Sequence, residues 1–108
     1  MIYKVFLTEK AKADINAALD YIEFRLFNPK ASDDLLNCIE EELQALNYMP
    51  ERHPLSDDSV LHEWGIRFIL IKNYIAFFVI DDLSHSVHVI RFFYGKRDWI
   101  CILKEDYV

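Results

Sequence analysis

The spacing of apolar residues in the N-terminal half of the chain predicts a strand followed by a helix. Tyr3 to Leu7 is rich in β-branched and aromatic residues, and Thr8 offers a side-chain oxygen that can cap a helix. Between residues 9 and 27 the apolar residues recur at helical spacing as one stripe, formed by Ala11, Ile15, Ala18, Leu19, Ile22 and Leu26. A strand therefore leads directly into an amphipathic helix.

A second helix is predicted to follow after a tight break at Asn28 and Pro29. Proline ends the first helix and suits the first turn of the next one, for which Asn28 is the cap. Helical spacing resumes after Ala31 and continues to about Tyr48, with apolar positions Leu35, Cys38, Ile39, Leu43 and Leu46. Two helices joined this closely form an antiparallel hairpin that can cover one face of a sheet.

The C-terminal half contains three apolar runs of strand length. Residues 50–63 are dense in Pro, Ser, Asp and His and predict a loop, after which Lys72 and Asn73 separate two apolar runs as a hairpin turn. A turn at residues 81–84 leads to a third run at 87–94, and Gly95 ends it before a short tail with Trp99, Ile102 and Leu103. The pattern predicts one α+β domain over residues 1–108, ordered β-α-α-β-β-β, with the helical hairpin on a mostly antiparallel four-stranded sheet.

Composition narrows the cellular setting. A hydrophobic content of 53% suffices for a single packed core. No stretch approaches the roughly 18 apolar residues of a membrane-spanning helix, and no secretion signal is recognisable, so we expect a cytoplasmic chain without a membrane partner. Cys38 and Cys101 are expected to be mostly buried thiols and not a disulfide, because a reducing compartment disfavours such bonds.

Charge is distributed unevenly along the chain. The net charge is -6, yet residues 1–63 carry -7 whereas residues 64–108 carry +1. Within the latter, Arg91, Lys96 and Arg97 lie inside seven residues, which makes this segment the candidate docking place for an anion. A solvated surface cluster is the alternative interpretation.

Arg67 is unusual because its guanidinium lies between two apolar strand residues and must reach either water or an anion. Strand alternation places it on one face with Ile69 and Ile71. The same alternation predicts that Arg91 shares a face with three apolar residues of the last strand, namely Val87, Val89 and Phe93.

Metal and nucleotide chemistry are not indicated. The four histidines, His53, His62, His85 and His88, do not have the spacing of a zinc site, and the chain has two glycines, too few for a glycine-rich phosphate loop. We therefore expect no metal and no small-molecule cofactor.

Several strings in a consistent order resemble the RelE/ParE toxin superfamily of type II toxin–antitoxin (plasmid stabilisation) systems. They are Leu7-Thr8, Asn28-Pro29, Pro54-Leu55, Gly65-Ile66-Arg67, Asn73-Tyr74, Phe77 to Asp81, Val89-Ile90-Arg91 and Tyr94 to Trp99. The resemblance covers nearly the whole chain. It implies the fold described above and a bacterial growth inhibitor that a cognate antitoxin neutralises by wrapping around it.

One branch of the superfamily, similar to RelE, cuts messenger RNA in the ribosome without a metal. That chemistry requires a base, an acid and cations that stabilise the phosphoryl transition state. By resemblance Arg67 and Arg97 are the cations, and His53 or Tyr94 transfers the proton. This chain departs from the nuclease pattern, since Tyr74 occupies the position of a usual arginine and no aromatic acid matches near Leu103.

The other branch, similar to ParE, poisons DNA gyrase by protein contact and needs no catalytic set. Tyr74 in place of the usual arginine and the negative net charge of the chain favour this branch. The candidate target-binding residues are then Arg67, Arg91, Lys96, Arg97 and Tyr74. A ribosome-dependent endoribonuclease remains the alternative. A degenerate relative that only binds its antitoxin is a third reading.

Overall fold

The N-terminal strand runs directly into the first helix, as the sequence predicts. In the computed structural model, which describes residues 2–95 and 99–106, β1 spans Lys4–Leu7 and α1 spans Glu9–Asp20. Thr8 Oγ1 accepts a hydrogen bond from the N–H of Ala11 at 3.2 Å and donates one to the carbonyl of Ile90 at 3.1 Å. The cap therefore also ties the start of α1 to the sheet.

The break between the two helices lies where the sequence predicts it, but the first helix ends in a segment of wider, π-helical geometry. α1 gives way at Asp20 to a π-helix, Tyr21–Arg25, so the expected regular helix over 9–27 is wrong for its last part. Phe27 adopts a left-handed φ of 51°, and Asn28 then accepts a hydrogen bond from the N–H of Ala31 as the predicted cap of α2, Pro29–Gln44. A 3-10 turn, Ala45–Asn47, follows α2.

The segment 50–63 is more ordered than the sequence suggests. It contains a 3-10 turn, Pro50–Arg52, and a short helix, α3, at Ser59–Glu63. Asp58 caps α3 by accepting a hydrogen bond from the N–H of Leu61. Five residues are too few to display a helical period, which explains why the pattern predicted a loop.

The sheet confirms the predicted architecture. β2 spans Arg67–Ile71, β3 spans Tyr74–Asp81 and β4 spans Ser86–Tyr94, in the spatial order β1-β4-β3-β2. β1 runs parallel to β4, whereas the other two pairings are antiparallel. Strand β4 therefore lies inside the sheet, and β1 pairs with it from Ser86 to Val89.

Both faces of the sheet are covered. The helical hairpin packs on one face around a core that includes Leu35, Ile39 and Phe78. On the other face lies α4, Trp99–Asp106, whose Leu103 is buried against a cluster of Leu61, Ile66, Phe77, Ile90 and Phe93. The sequence predicted an irregular tail there, but its apolar side chains are those of a helix that closes the second core.

A β-bulge reverses part of the predicted alternation in β4. Phe77 pairs with Arg91 while its neighbour Phe78 pairs with Val89, so the register skips Ile90. The expectation that Arg91 shares one face with Val87, Val89 and Phe93 is wrong for the two valines, which lie in the hairpin-side core, but it holds for Phe93, over whose ring the guanidinium lies. The extra residue shifts the period-2 pattern by one.

The cysteines also differ from expectation. Cys38 is half-buried and Cys101 is exposed on α4, and no disulfide joins them. Within the described part of the chain, no helix combines the length and the apolar character that crossing a bilayer requires.

Candidate functional site

Arg67 lies at one end of the sheet, where it fixes the segment that precedes it. Its Nη1 donates hydrogen bonds to the backbone carbonyls of Glu51, at 3.1 Å, and His53, at 2.6 Å. Among the described residues no carboxylate lies within ion-pair distance of Arg67. Main-chain oxygens therefore satisfy part of the hydrogen-bonding capacity of the guanidinium, and no described carboxylate forms an ion pair with it.

The cleft that Arg67 lines is mixed in charge. It encloses about 480 Å³, and Glu51 and Asp82 contribute to its walls, while the hydroxyl of Tyr3 donates to Asp82 at 3.2 Å. Two acidic residues in the walls of this cleft disfavour a phosphate there, because like charges repel at short range. The cleft is a poor anion site as it stands.

His53 adjoins the same corner and is chemically able to accept a proton. Burial, together with the charge of Arg52, lowers the pKa of His53 below its ordinary value of 6.5. Its ring contacts Phe78 edge-on, with ring centroids 6.0 Å apart. The imidazole is therefore neutral at pH 7, and one side of it packs against the core.

Arg91 is held by two internal carboxylates. Its Nε and Nη2 donate to the two oxygens of Asp14 at 2.7 and 3.0 Å, and its Nη1 donates to Asp106 at 2.8 Å. All three side chains are about 15% exposed, and the guanidinium also lies 4.5 Å over the ring of Phe93. The hydrogen bonds to Asp14 raise the pKa of the Arg91 guanidinium above its ordinary value.

This arrangement makes Arg91 a poor candidate for binding an external anion. An external anion would have to displace Asp14 or Asp106 to reach the guanidinium, at the cost of leaving a half-buried carboxylate unpaired. The structural role of Arg91 instead is to join α1, β4 and α4.

An aromatic cluster marks the opposite end of the sheet from Arg67. The rings of Tyr74 and Phe92 stack 4.9 Å apart, and the ring of Tyr94 meets Tyr74 edge-on at 5.5 Å. Burial raises the pKa of Tyr74, so its hydroxyl stays protonated at neutral pH. The cluster forms the floor of a groove of about 750 Å³ whose opposite wall is α1 and the π-helix.

The candidate nuclease residues do not converge. Arg67 pairs with Phe78 and Tyr94 pairs with Tyr74, so the two sites are four residues apart along β3, about 13 Å at the usual rise per residue. His53 accompanies Arg67, whereas Tyr94 lies with the aromatic cluster. Lys96 and Arg97 are outside the described residues.

Sequence reasoning named Tyr74 and Tyr94 on the floor of the large groove but did not recognise its helical wall as part of a site. Ala17, Ala18 and Tyr21 form its helical wall, but an alanine pair on a helix carries no chemical signal. Asp14 was recognisable as a polar residue off the apolar stripe, yet its partner Arg91 is 77 residues away. Only the packing of α1 beside β4 brings the two together.

The fold is that of the RelE/ParE-like toxins. A chromosomal ParDE TA system from P. aeruginosa matches with a TM-score of 0.71 and 18% identity, covering 88% of this chain and 98% of that one. The toxin–antitoxin complex RelBE2 from Mycobacterium tuberculosis matches at 0.59 and 21%, covering 87% and 99%. An archaeal RelE–RelB complex from Pyrococcus horikoshii OT3 matches at 0.56 and 12%, covering 90% and 99%.

The family assignment rests on the sequence. Residues 5–99 match the model of the ParE toxin of type II toxin–antitoxin systems, parDE. The chain therefore belongs to the ParE toxin family and is a type II toxin. No curated protein matches it in sequence.

Proposed function

We propose that this toxin inhibits growth by binding a protein target, DNA gyrase, without catalysing a reaction, and that a cognate antitoxin neutralises it. One observation carries the proposal. The groups that could transfer protons are separated: His53 accompanies Arg67, which pairs with Phe78, whereas Tyr94 pairs with Tyr74, about 13 Å away along β3. Acid and base must both reach one scissile phosphate, and this spacing does not allow it.

The electrostatics of the described residues support the same proposal. Phosphoryl transfer requires cations that stabilise the developing charge. Arg91 is neutralised by Asp14 and Asp106, and Arg67 faces a cleft with two carboxylates in its walls. Membership of the ParE family supports the same conclusion, and the solved relatives named as ParDE and RelBE complexes support an antitoxin partner.

The test compares two activities of the purified chain. We expect inhibition of ATP-dependent supercoiling by DNA gyrase and no cleavage of ribosome-bound messenger RNA. Tyr94→Phe removes the hydroxyl, and His53→Gln removes the titratable ring while keeping a polar group. Both variants should inhibit growth as strongly as the parent, because a binding toxin needs neither proton transfer.

Messenger cleavage that disappears in either variant would establish the endoribonuclease instead. Absence of both activities, with an antitoxin complex still formed, would identify a degenerate relative. Thermal unfolding of each variant is the control, so that loss of the fold is not mistaken for loss of activity.

A further inference from the structure

Strand β1 is an edge strand, and its outer side is open in its second half. The N–H groups of Lys4 and Thr8 donate to carbonyls on the β4 side, at 2.9 and 3.0 Å. Backbone groups alternate along a strand, so the N–H and C=O of Val5 and Leu7 point away from the sheet. Among the described residues, no backbone hydrogen bond reaches either of them from that side. Two donors and two acceptors therefore remain for another strand.

The first half of the same edge is filled by the chain itself. Asn47 accepts a hydrogen bond from the N–H of Tyr3 at 2.7 Å, and Ile2 forms an antiparallel bridge with Tyr48. At the other end the chain leaves the edge at Thr8, where it turns into α1. A long straight strand laid along this edge would collide with Asn47, whereas a strand of a few residues would fit.

A second copy of this chain meets that requirement, because its own β1 is equally short. Antiparallel pairing about a two-fold axis at Phe6 sets Val5 opposite Leu7 of the other copy, and these are the residues whose backbone groups point outward. The Asn47 of each copy then lies beyond Thr8 of the other, where the strand has already turned into α1. The filled half of one edge therefore faces the vacated half of the other.

Charge and hydrogen bonding select this register. An axis at Val5 would set Tyr3, already bonded to Asn47, against a partner strand, and an axis at Lys4 would oppose two ammonium groups. With the axis at Phe6, Lys4 lies diagonally next to Glu9 of the other copy. No ion pair between described residues involves Lys4, and the side chain of Glu9 is 92% exposed. One Lys4–Glu9 pair can therefore form at each end of the paired segment.

Apolar side chains flank the open edge on both faces of the sheet. Phe6 is 48% exposed although its ring stacks on His88, with ring centroids 5.3 Å apart. The axis places the two Phe6 rings side by side as a non-hydrogen-bonded pair, in which side chains approach most closely. On the hairpin side, Val5 and Leu7 line an apolar groove of about 470 Å³ beside α2, which the same two residues of the other copy would extend.

We infer that this chain forms a two-fold dimer by antiparallel pairing of its β1 strands, with Val5 opposite Leu7 and Phe6 opposite Phe6. The two sheets join into one of eight strands, four from each copy. The paired segment is short, and the net charge of -6 on each copy opposes association. The dimer is therefore weak, and its population depends on protein concentration.

The two end pairs provide a test that a purely structural effect would not reproduce. Lys4→Glu brings two carboxylates together at each end, and Glu9→Lys brings two ammonium groups together. We expect each variant alone to dimerise at least tenfold more weakly than the parent, measured by sedimentation velocity over a range of protein concentrations. An equimolar mixture of the two variants should dimerise almost as tightly as the parent, because each end again combines a lysine with a glutamate.

Hydrogen exchange on the parent locates the contact. The amides of Val5 and Leu7 should exchange at least tenfold more slowly where the dimer prevails than in the monomer, because strand pairing supplies acceptors. The amide of Tyr3 should not change, since Asn47 already accepts its hydrogen bond. Phe6→Lys opposes two ammonium groups at the axis and should abolish the dimer, whereas Leu83→Lys, at a turn position 97% exposed, should not.

The other outcomes overturn the inference. A chain that stays monomeric at every concentration has no such dimer, and the proposed function is unaffected. A dimer that both charge variants retain is held by another surface. Protection of Val5 and Leu7 that requires the antitoxin and not a second copy assigns the edge to the antitoxin. If Phe6→Lys unfolds at a lower temperature than Leu83→Lys, the charge variants and their mixture decide.

Discussion

At the scale of single residues, Arg91 is the most connected polar side chain that the structure describes. It joins a carboxylate of α1 to a carboxylate of α4 from a strand that lies between them. Lys10 also donates to Asp106, at 2.8 Å. An isolated charge at 15% exposure would be costly, and the geometry with two carboxylates offsets that cost.

Replacing Arg91 with methionine should therefore destabilise the fold. Methionine keeps most of the apolar stem but leaves Asp14 without a cation and Asp106 with Lys10 alone. We expect a loss of about 2–4 kcal/mol in the free energy of unfolding, because removing one partner leaves a mostly buried carboxylate unpaired. Urea unfolding at pH 7 measures it. The control is Arg25→Met on the exposed surface of the π-helix, which should change stability by less than about 0.5 kcal/mol. Equal effects of the two changes would contradict this role.

At the scale of elements, the caps that the sequence predicted are present. Asn28 Oδ1 accepts from the N–H of Ala31, and Pro29 occupies the first turn of α2. Caps are local, because the capping side chain and the N–H it accepts from are three residues apart. This is why sequence reasoning located the helix start correctly without knowledge of the fold.

Removing the cap of α2 should cost stability where removing another asparagine should not. Asn28→Ala leaves N–H groups of the first turn without an acceptor, and we expect a loss of about 1 kcal/mol. Asn16→Ala, on the exposed side of α1, should be neutral or stabilising by up to about 0.6 kcal/mol, because alanine has the higher helix propensity. Thermal unfolding followed by circular dichroism measures the stability change of each variant. Equal losses in the two variants would contradict the capping role of Asn28.

The C-terminal helix was not predicted as a helix, although its apolar residues were noticed. Leu103 is fully buried and Trp99 lies 4.8 Å from the ring of Phe77. Eight residues after a break show little periodicity, so only the contact with the second face of the sheet identifies α4 as part of the core.

Truncating Leu103 should therefore destabilise the whole domain. Leu103→Ala opens a cavity under α4, and we expect a loss of about 2–5 kcal/mol. Leu83→Ala, at an almost fully exposed turn position, is the matched control and should have little effect. The fluorescence of Trp99 in a Trp64→Phe background follows the release of α4. A stability loss equal to that of the control would show that α4 is not part of the core.

At the scale of the whole molecule, acidic pH should lower the free energy of unfolding in two successive pH ranges. Burial lowers the pKa of His53, so the unfolded chain binds a proton there at higher pH than the folded chain does. Below pH 4 the carboxylates follow. A hydrogen bond from Leu61 lowers the pKa of Asp58, and bonds from Ser84 lower that of Asp81. Burial opposes ionisation of Asp106, but the bonds from Lys10 and Arg91 outweigh it and lower its pKa.

The sign is the same for both stages, because the unfolded state binds more protons than the folded state in each. The stability associated with neutral His53 is present above its ordinary pKa of 6.5 and is lost as the pH falls towards the lowered value. That of the carboxylates is present above about pH 4 and is lost as the pH falls through their folded pKa values. Midpoints of urea unfolding from pH 8 to pH 3 measure this loss of stability. The His53→Gln variant should lack only the loss that begins near pH 6.5. If the His53→Gln variant still loses stability in that pH range, a group other than His53 is responsible.

The site was less predictable than the fold. The element order and the hairpin of helices follow from local periodicity and from Asn28 and Pro29, and the structure confirms them. The face of Arg91 could not be predicted, because one bulge residue at Ile90 reverses the alternation and nothing in its apolar side chain signals a bulge. The role of Arg67 likewise depended on which carbonyls its guanidinium would meet.

Local periodicity and turn chemistry thus sufficed to predict the four strands, the hairpin of two helices and their order, and they carried the resemblance that led to the toxin family, because these signals act between residues a few positions apart. The ion pairs of Arg91 and the separation of His53 from Tyr94 arise from residues brought together over long stretches of chain. Such pairs exist only once β1, β4 and α1 have packed, since burial and hydrogen bonding depend on distances in space and not along the sequence.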